Sequence, residues 1–183
     1  MFARPGLPSF DYIRAETEDQ VVGVLLEHGD AAKLLMGGTD LFPNLRDGAT
    51  CPKMVVDVKG LPGMRDISYD AAQGLAVGAA VTMNQLARHP DVQAHYPLLA
   101  QSAGAVASYQ IRNRATLGGN LCNASPCADT APATLVLEAS FLLYGPNGGR
   151  SVPAGEFFLG PGKTALQAAE FMTAICFPPP GAG

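Results

Sequence analysis

The apolar positions of the chain fall into short runs of two periods, punctuated by glycine and proline. Phe10-Asp11-Tyr12-Ile13 reads as a first short strand. Thr17-Glu18-Asp19-Gln20 is a capping-box start, with Thr17 as N-cap and Gln20 reaching back. Val21, Val22, Leu25 and Leu26 then form one helical stripe, and Gly29 is the stop. A strand is expected at 33–36, followed by a Gly-Gly turn and one or two helical turns from Asp40 to Arg46. Met54 to Val58 reads as a buried strand. Met64 to Ser68 and Gly74 to Val77 read as a hairpin joined through Tyr69-Asp70. Thr82-Met83-Asn84-Gln85 is a second capping box, and its helix ends at Pro90. Pro97 suits a first helical turn, ahead of Leu98, Leu99, Ser102, Ala103, Val106 and Ala107 at helical spacing. After a loop at 116–132, a helix capped by Asp129 or Thr130 carries Leu135, Val136 and Leu137. Ser140 to Tyr144 and Arg150 to Val152 form a hairpin around Pro146-Asn147-Gly148-Gly149. Glu156 to Gly160 is a loop with a buried aromatic anchor, and Phe171 to Phe177 is the last strand. Strands and helices mix without strict alternation, which favours an α+β fold of two small lobes, the second starting near residue 60.

Two stretches stand apart from this pattern. Residues 116–132 are dense in small and hydrogen-bonding side chains, and Gly118 and Gly119 offer backbone N–H groups there. Met36-Gly37-Gly38-Thr39-Asp40-Leu41 echoes it after the apolar run Leu34-Leu35-Met36. A strand running into a Gly-Gly-Thr turn can make a nest of N–H groups for an anion, and a helix capped by Asp40 would face the same anion. Two such turns suggest one long phosphate-bearing ligand held at both; the plain alternative is two tight turns. No G-x-G-x-x-G fingerprint and no P-loop is present.

Composition narrows the classes. The 183 residues suffice for one large domain or two small ones, and 48% hydrophobic with 15% charged residues describes a globular chain. The net charge of −4 without a basic cluster argues against a nucleic-acid partner. The first eight residues lack a signal-peptide core, and no apolar run reaches membrane-spanning length, so a cytoplasmic protein without membrane insertion is expected. Cys51, Cys122, Cys127 and Cys176 show no C-x-x-C pairing, so no metal site is expected on the chain. His28, His89 and His95 read as surface or packing residues, and no catalytic residue is assigned. Arg112 and Arg114 are candidates for phosphates or a partner subunit, with a solvated surface role as the alternative.

Leu-Leu-Met-Gly-Gly-Thr-Asp-Leu at 34–41, paired with Gln-Ile-Arg-Asn-Arg-Ala-Thr-Leu-Gly-Gly-Asn-Leu-Cys-Asn-Ala-Ser-Pro-Cys-Ala-Asp-Thr-Ala-Pro at 110–132, resembles the FAD-binding (medium) subunit of molybdenum hydroxylases. That family includes the flavin domain of xanthine dehydrogenase and the medium subunit of aerobic carbon monoxide dehydrogenase. The resemblance runs from Phe10 to about Pro180. It implies the two-lobed FAD-binding fold of the vanillyl-alcohol oxidase (PCMH) type, with lobes at 1–60 and 61–177. It implies that Leu34, Leu35, Met36, Gly37, Gly38, Thr39, Asp40 and Leu41 hold the FAD pyrophosphate, and that Thr116, Leu117, Gly118, Gly119 and Asn120 wrap the flavin's other side. Asp129 is expected to hydrogen-bond in the same region, and Ser125 is a candidate there with a Ser-Pro turn as its alternative. Val106 and Met172 match flavin-contacting positions.

The resemblance further implies an electron relay. A large partner subunit carries the molybdenum cofactor and oxidises the substrate, and a small partner carries two [2Fe–2S] clusters. Electrons then reach FAD on this chain and leave for NAD, oxygen or a quinone-like acceptor. Family members continue past the Pro-rich segment, so 178–183 is expected to be a linker to a missing C-terminal domain. One branch of the family inserts an iron–sulfur loop after the second motif; here Cys122 and Cys127 run straight into Ala-Asp-Thr-Ala-Pro, so no cluster is expected. Two other readings stay open: a structural remnant that binds no flavin, and part of a self-contained flavin oxidase.

Overall fold

The computed structural model describes residues 6–181. The expectation of no signal peptide rests partly on residues 1–5, and the linker reading partly on 182–183; both fall outside the described residues.

Residues 11–57 alternate strictly: β1 (Asp11–Arg14), α1 (Glu18–His28), β2 (Ala32–Leu35), α2 (Leu41–Arg46) and β3 (Met54–Asp57). They form a parallel sheet in the order β1-β3-β2, so the expected mixing without strict alternation holds only after this stretch. The middle strand explains its own composition, since Val55 and Val56 are fully buried between two neighbours. Thr17 caps α1 by accepting from the Gln20 N–H, but the Gln20 side chain accepts from Glu16 N–H, one residue earlier than a capping box requires. Val21 and Val22 face the core, whereas Leu26, expected in the same stripe, is 61% exposed.

The remainder builds an antiparallel sheet. β4 (Ile67–Asp70) and β5 (Gly74–Gly78) are a hairpin. Its turn lies at 71–73 because the Asp70 carboxylate accepts from the N–H groups of Ala72 and Gln73; Tyr69 and Asp70 are strand, not turn. Four helices follow: α3 (Met83–Arg88), α4 (Pro90–His95), α5 (Pro97–Ala105) and α6 (Tyr109–Arg112). Thr82 and Gln85 form the expected reciprocal capping box on α3. Next come α7 (Leu117–Asn123), α8 (Thr130–Val136), β6 (Ser140–Gly145), β7 (Gly148–Pro153), α9 (Ala154–Phe157), the short strands β8 (Phe158–Gly160) and β9 (Lys163–Thr164), and β10 (Phe171–Phe177). The large sheet runs β4-β5-β10-β6-β7, so the last strand inserts at its centre.

Two local expectations change. Residues 117–123 are a helix rather than a loop. Leu135 and Val136 on α8 are exposed. Residues 154–157 form a helical turn, although Phe157 is the expected buried anchor: it is fully buried, edge-to-face with Phe141 at 4.7 Å. A β-bulge between Met172 and Ala174 breaks the pairing of β10 with β6, and the Thr173 carbonyl instead accepts from Ala79 N–H. This ties β10 to Ala79, whose own carbonyl accepts from the Gly118 N–H at the start of α7.

Candidate functional site

The end of β2 and the start of α7 meet across one cavity of about 790 Å³, within the range of roughly 300–1,000 Å³ usual for small-molecule sites. Its walls come from 33–44, from 106–123 and from 166–172.

The first wall is built by close approach. A Cβ on Gly37 would stand 2.4 Å from the Arg114 carbonyl oxygen and 3.1 Å from Ala115 Cα, so only glycine lets the β2 turn touch the second motif. Gly38 has φ +76°, a left-handed conformation that favours glycine. The turn leaves the N–H groups of Gly37, Gly38, Thr39, Asp40 and Leu41 with no acceptor among the described residues. Five consecutive unpaired donors at a cavity wall are chemically suited to an anion. Asp40 occupies the N-cap position of α2 but is exposed, and its carboxylate makes no cap hydrogen bond, contrary to the sequence expectation.

The second wall works differently. The N–H groups of α7's first turn are already spent: Leu117 on Val81 O, Gly118 on Ala79 O, Gly119 on the Thr116 hydroxyl and Asn120 on Thr116 O. Gly118 and Gly119 are helical, not positive-φ turn residues. Gly118 is needed because a Cβ would collide with Ala79 at 2.6 Å. The second motif therefore offers shape and side chains rather than a second N–H nest. Thr116 is its pivot: buried, it caps α7, bridges to Thr82 and points its hydroxyl at the Met36 sulfur at 3.9 Å. The Asn120 side-chain oxygen accepts from the Thr130 hydroxyl, which leaves its amide group as a donor.

Leu34, Met36, Gly37, Gly38, Thr39, Asp40, Leu41, Val106, Thr116, Gly118, Gly119, Asn120 and Met172 all line the cavity. Leu35, Leu117, Ser125 and Asp129 do not. Leu35 and Leu117 are buried on the core side of their elements. The Ser125 hydroxyl accepts from Cys127 N–H in the turn after α7, and Asp129 is exposed at the head of α8.

Residues that the resemblance does not assign to the cofactor also line the cavity, among them Asn44, Ile111, Cys122, Asn123, Leu166 and Glu170. Cys122 and Asn123 share a helix face with Gly118 and Gly119 at i+3 and i+4 spacing, a signal that was hidden once 116–132 was read as a loop. Burial pushes the Cys122 thiol up to about 12. Arg112 does not line the cavity: its guanidinium donates to the carbonyls of Val106 and Ala107 and to Asn84, which fixes the bend that presents Val106. Arg114 joins Lys59 and Arg65 around a smaller recess of about 330 Å³ that shares Met36 and Thr116 with the main cavity. No histidine lines the main cavity; His95 stacks on Tyr69 at 4.2 Å, remote from it. Among the described residues no three His, Cys, Asp or Glu side chains gather as a metal site, and no helix is long and apolar enough to cross a membrane.

A family described as the FAD-binding domain in molybdopterin dehydrogenase matches residues 8–180. The chain belongs to this family. Among its relatives, the xanthine dehydrogenase FAD-binding subunit of Escherichia coli O157:H7 is 38% identical over 92% of this chain and 57% of that protein. The carbon monoxide dehydrogenase medium chain of Hydrogenophaga pseudoflava is 37% identical over 93% of this chain and 59% of that protein. A solved carbon monoxide dehydrogenase from the same organism, lacking the Mo-pyranopterin moiety of the molybdenum cofactor, superposes with a TM-score of 0.93 over 98% of this chain and 62% of the solved one. The chain spans about three fifths of the length of the curated relatives it matches. The mixed helix and sheet architecture is that of these family members.

Proposed function

We propose that the chain binds FAD in the 790 Å³ cavity and serves as the electron-transfer subunit of a molybdenum hydroxylase-type dehydrogenase. The observation that carries this is the run of five unpaired N–H groups at Gly37 to Leu41, in residues that line the cavity together with Thr116, Gly119 and Asn120. The fit is chemical as well as spatial. Among the described residues the lining carries Lys33 as its single cation beside the carboxylates of Asp40 and Glu170, so a pyrophosphate would be held by backbone dipoles rather than by net charge. We assign Gly37 to Leu41 to the pyrophosphate, and Val106, Thr116, Asn120 and Met172 to the rest of the cofactor. The smaller recess beside Met36 and Thr116 suits the cofactor's far end.

Bound FAD would supply redox chemistry that no side chain here provides. The chain's own residues bind, orient and exclude water. Substrate oxidation, in this reading, takes place on a large partner with the molybdenum cofactor, and a small partner with two [2Fe–2S] clusters connects the two sites. The reading carries a two-lobed FAD-binding fold of the vanillyl-alcohol oxidase type, divided near residue 60; the parallel sheet before that point and the antiparallel sheet after it support the division. It places the assembly in the cytoplasm, in keeping with Cys51, Cys122, Cys127 and Cys176 standing as free thiols.

Native mass spectrometry of the protein from its own source tests this. A mass increment equal to FAD, with two further subunits in the complex, is expected. FAD with no partner favours a self-contained flavin oxidase, and bare protein in a larger complex favours a structural remnant; either result contradicts the relay.

A further inference from the structure

We propose that Arg150 and Glu170 form a clamp that holds Leu166 in place as a wall of the flavin pocket; the proposal rests on the FAD reading above. The Arg150 guanidinium meets the Glu170 carboxylate through two hydrogen bonds of 2.7 Å, one to each oxygen. Its NH2 group also donates to the Ala165 carbonyl at 2.8 Å. Glu170 in turn accepts from the Gln167 N–H at 2.7 Å. The pair therefore grips the backbone one residue before Leu166 and one residue after it. Leu166 itself lines the cavity, as does Glu170.

Three further features show that the segment is built to be held. Ala165 N–H donates to the carbonyl of Phe157, which is fully buried, so the clamp hangs from the core. Gly145 leaves room for Glu170: a Cβ there would stand 2.6 Å from the Glu170 Cγ. Ala169 adopts φ +59°, a left-handed conformation that disfavours an alanine and persists only where its surroundings impose it. The Glu170 side chain is 8% exposed, and the Arg150 hydrogen bond holds its carboxyl below the usual range, so the pair stays ionised at neutral pH. Arg150 is 35% exposed and lies outside the cavity lining, so it acts on the cofactor only through the segment it grips. It is a positioning residue.

A double-mutant cycle on FAD affinity separates positioning from general stability. The apo chain, Arg150→Met, Leu166→Ala and the double variant are titrated with FAD, and binding is read from flavin fluorescence. Arg150→Met is expected to weaken FAD about tenfold, the scale of one lost charge-assisted hydrogen bond. Leu166→Ala should weaken it similarly, and the double variant no further than the weaker single, because a displaced Leu166 has little left to lose. Should Arg150→Met fail to fold, Glu170→Gln takes its place in the cycle. Wild-type affinity in the clamp variant, or losses that multiply in the double variant, overturns the clamp and leaves the FAD reading standing. No FAD binding by the wild-type chain removes both.

Discussion

Replacing Gly37 by alanine is the sharpest perturbation that the structure offers. The new Cβ would lie 2.4 Å from the Arg114 carbonyl oxygen, 3.0 Å from its carbon and 3.1 Å from Ala115 Cα. All three are backbone atoms, and Ala115 O is already committed to Met83 N–H, so no rotamer change relieves the clash. The turn must move away from the second motif by about an ångström to reach an ordinary van der Waals separation. Overpacking of this kind costs about 1–3 kcal/mol, which for a chain of this length lowers the melting temperature by roughly 2–12 °C. The same movement displaces the Gly37–Leu41 donors from the wall opposite and should weaken FAD by about tenfold or more. Gly23 in α1 is the control: a Cβ there meets nothing within 4 Å, so Gly23→Ala should leave FAD affinity unchanged and raise stability slightly. Thermal unfolding followed by circular dichroism and FAD fluorescence titration read the two effects. A Gly37→Ala protein with wild-type melting and wild-type affinity would refute the packing of the two motifs described here.

Three further outcomes follow from individual groups. Thr116→Ala removes the hydroxyl that caps α7 and should cost about 1 kcal/mol, while Thr116→Ser keeps most of it; equal melting temperatures for the two variants would deny the cap. Cys51 and Cys127 are exposed, whereas burial pushes the Cys122 thiol up to about 12, so iodoacetamide at neutral pH should label the first two well before Cys122, and FAD should slow Cys122 further. Peptide mass spectrometry reads the order, and equal labelling of Cys122 and Cys127 would contradict the enclosure. The Glu170 carboxyl sits below its ordinary value of 4.5, chiefly through Arg150, so its pair stabilises the fold above that pH and is lost as pH falls through the depressed value. Melting temperature should therefore drop more steeply below pH 4.5 for the wild type than for Arg150→Met, and parallel acid profiles would deny the pair a role.

Much of the framework was legible from local chemistry. The Thr82–Gln85 box, Gly29 as a helix stop, a hairpin turn at Pro146-Asn147 and the last strand from Phe171 to Phe177 all follow from residues that act on their neighbours. The failures share a cause in tertiary partners that sequence does not display. Residues 117–123 look like a loop because two glycines and two asparagines disfavour a helix. They are helical because the carbonyls of Ala79 and Val81 and the Thr116 hydroxyl take up the first-turn N–H groups, and because Gly118 fits against Ala79. The hairpin turn moved because Asp70 serves two N–H groups beyond it. Val136 is exposed although apolar, and periodicity alone cannot say which face of so short a helix is covered. At the site, the backbone role of Gly37 and Gly38 was visible in the Gly-Gly-Thr turn, whereas Leu166 and Glu170 reach the cavity only through the fold of 158–170.

The central claim is that the cavity takes FAD through its pyrophosphate at the turn from Gly37 to Leu41. Calorimetric titration of the apo chain with FAD, and separately with FMN, tests it most directly. The account predicts one FAD site per chain and much weaker binding of FMN, which lacks the pyrophosphate. No heat with FAD, or FMN bound as tightly as FAD, would contradict it.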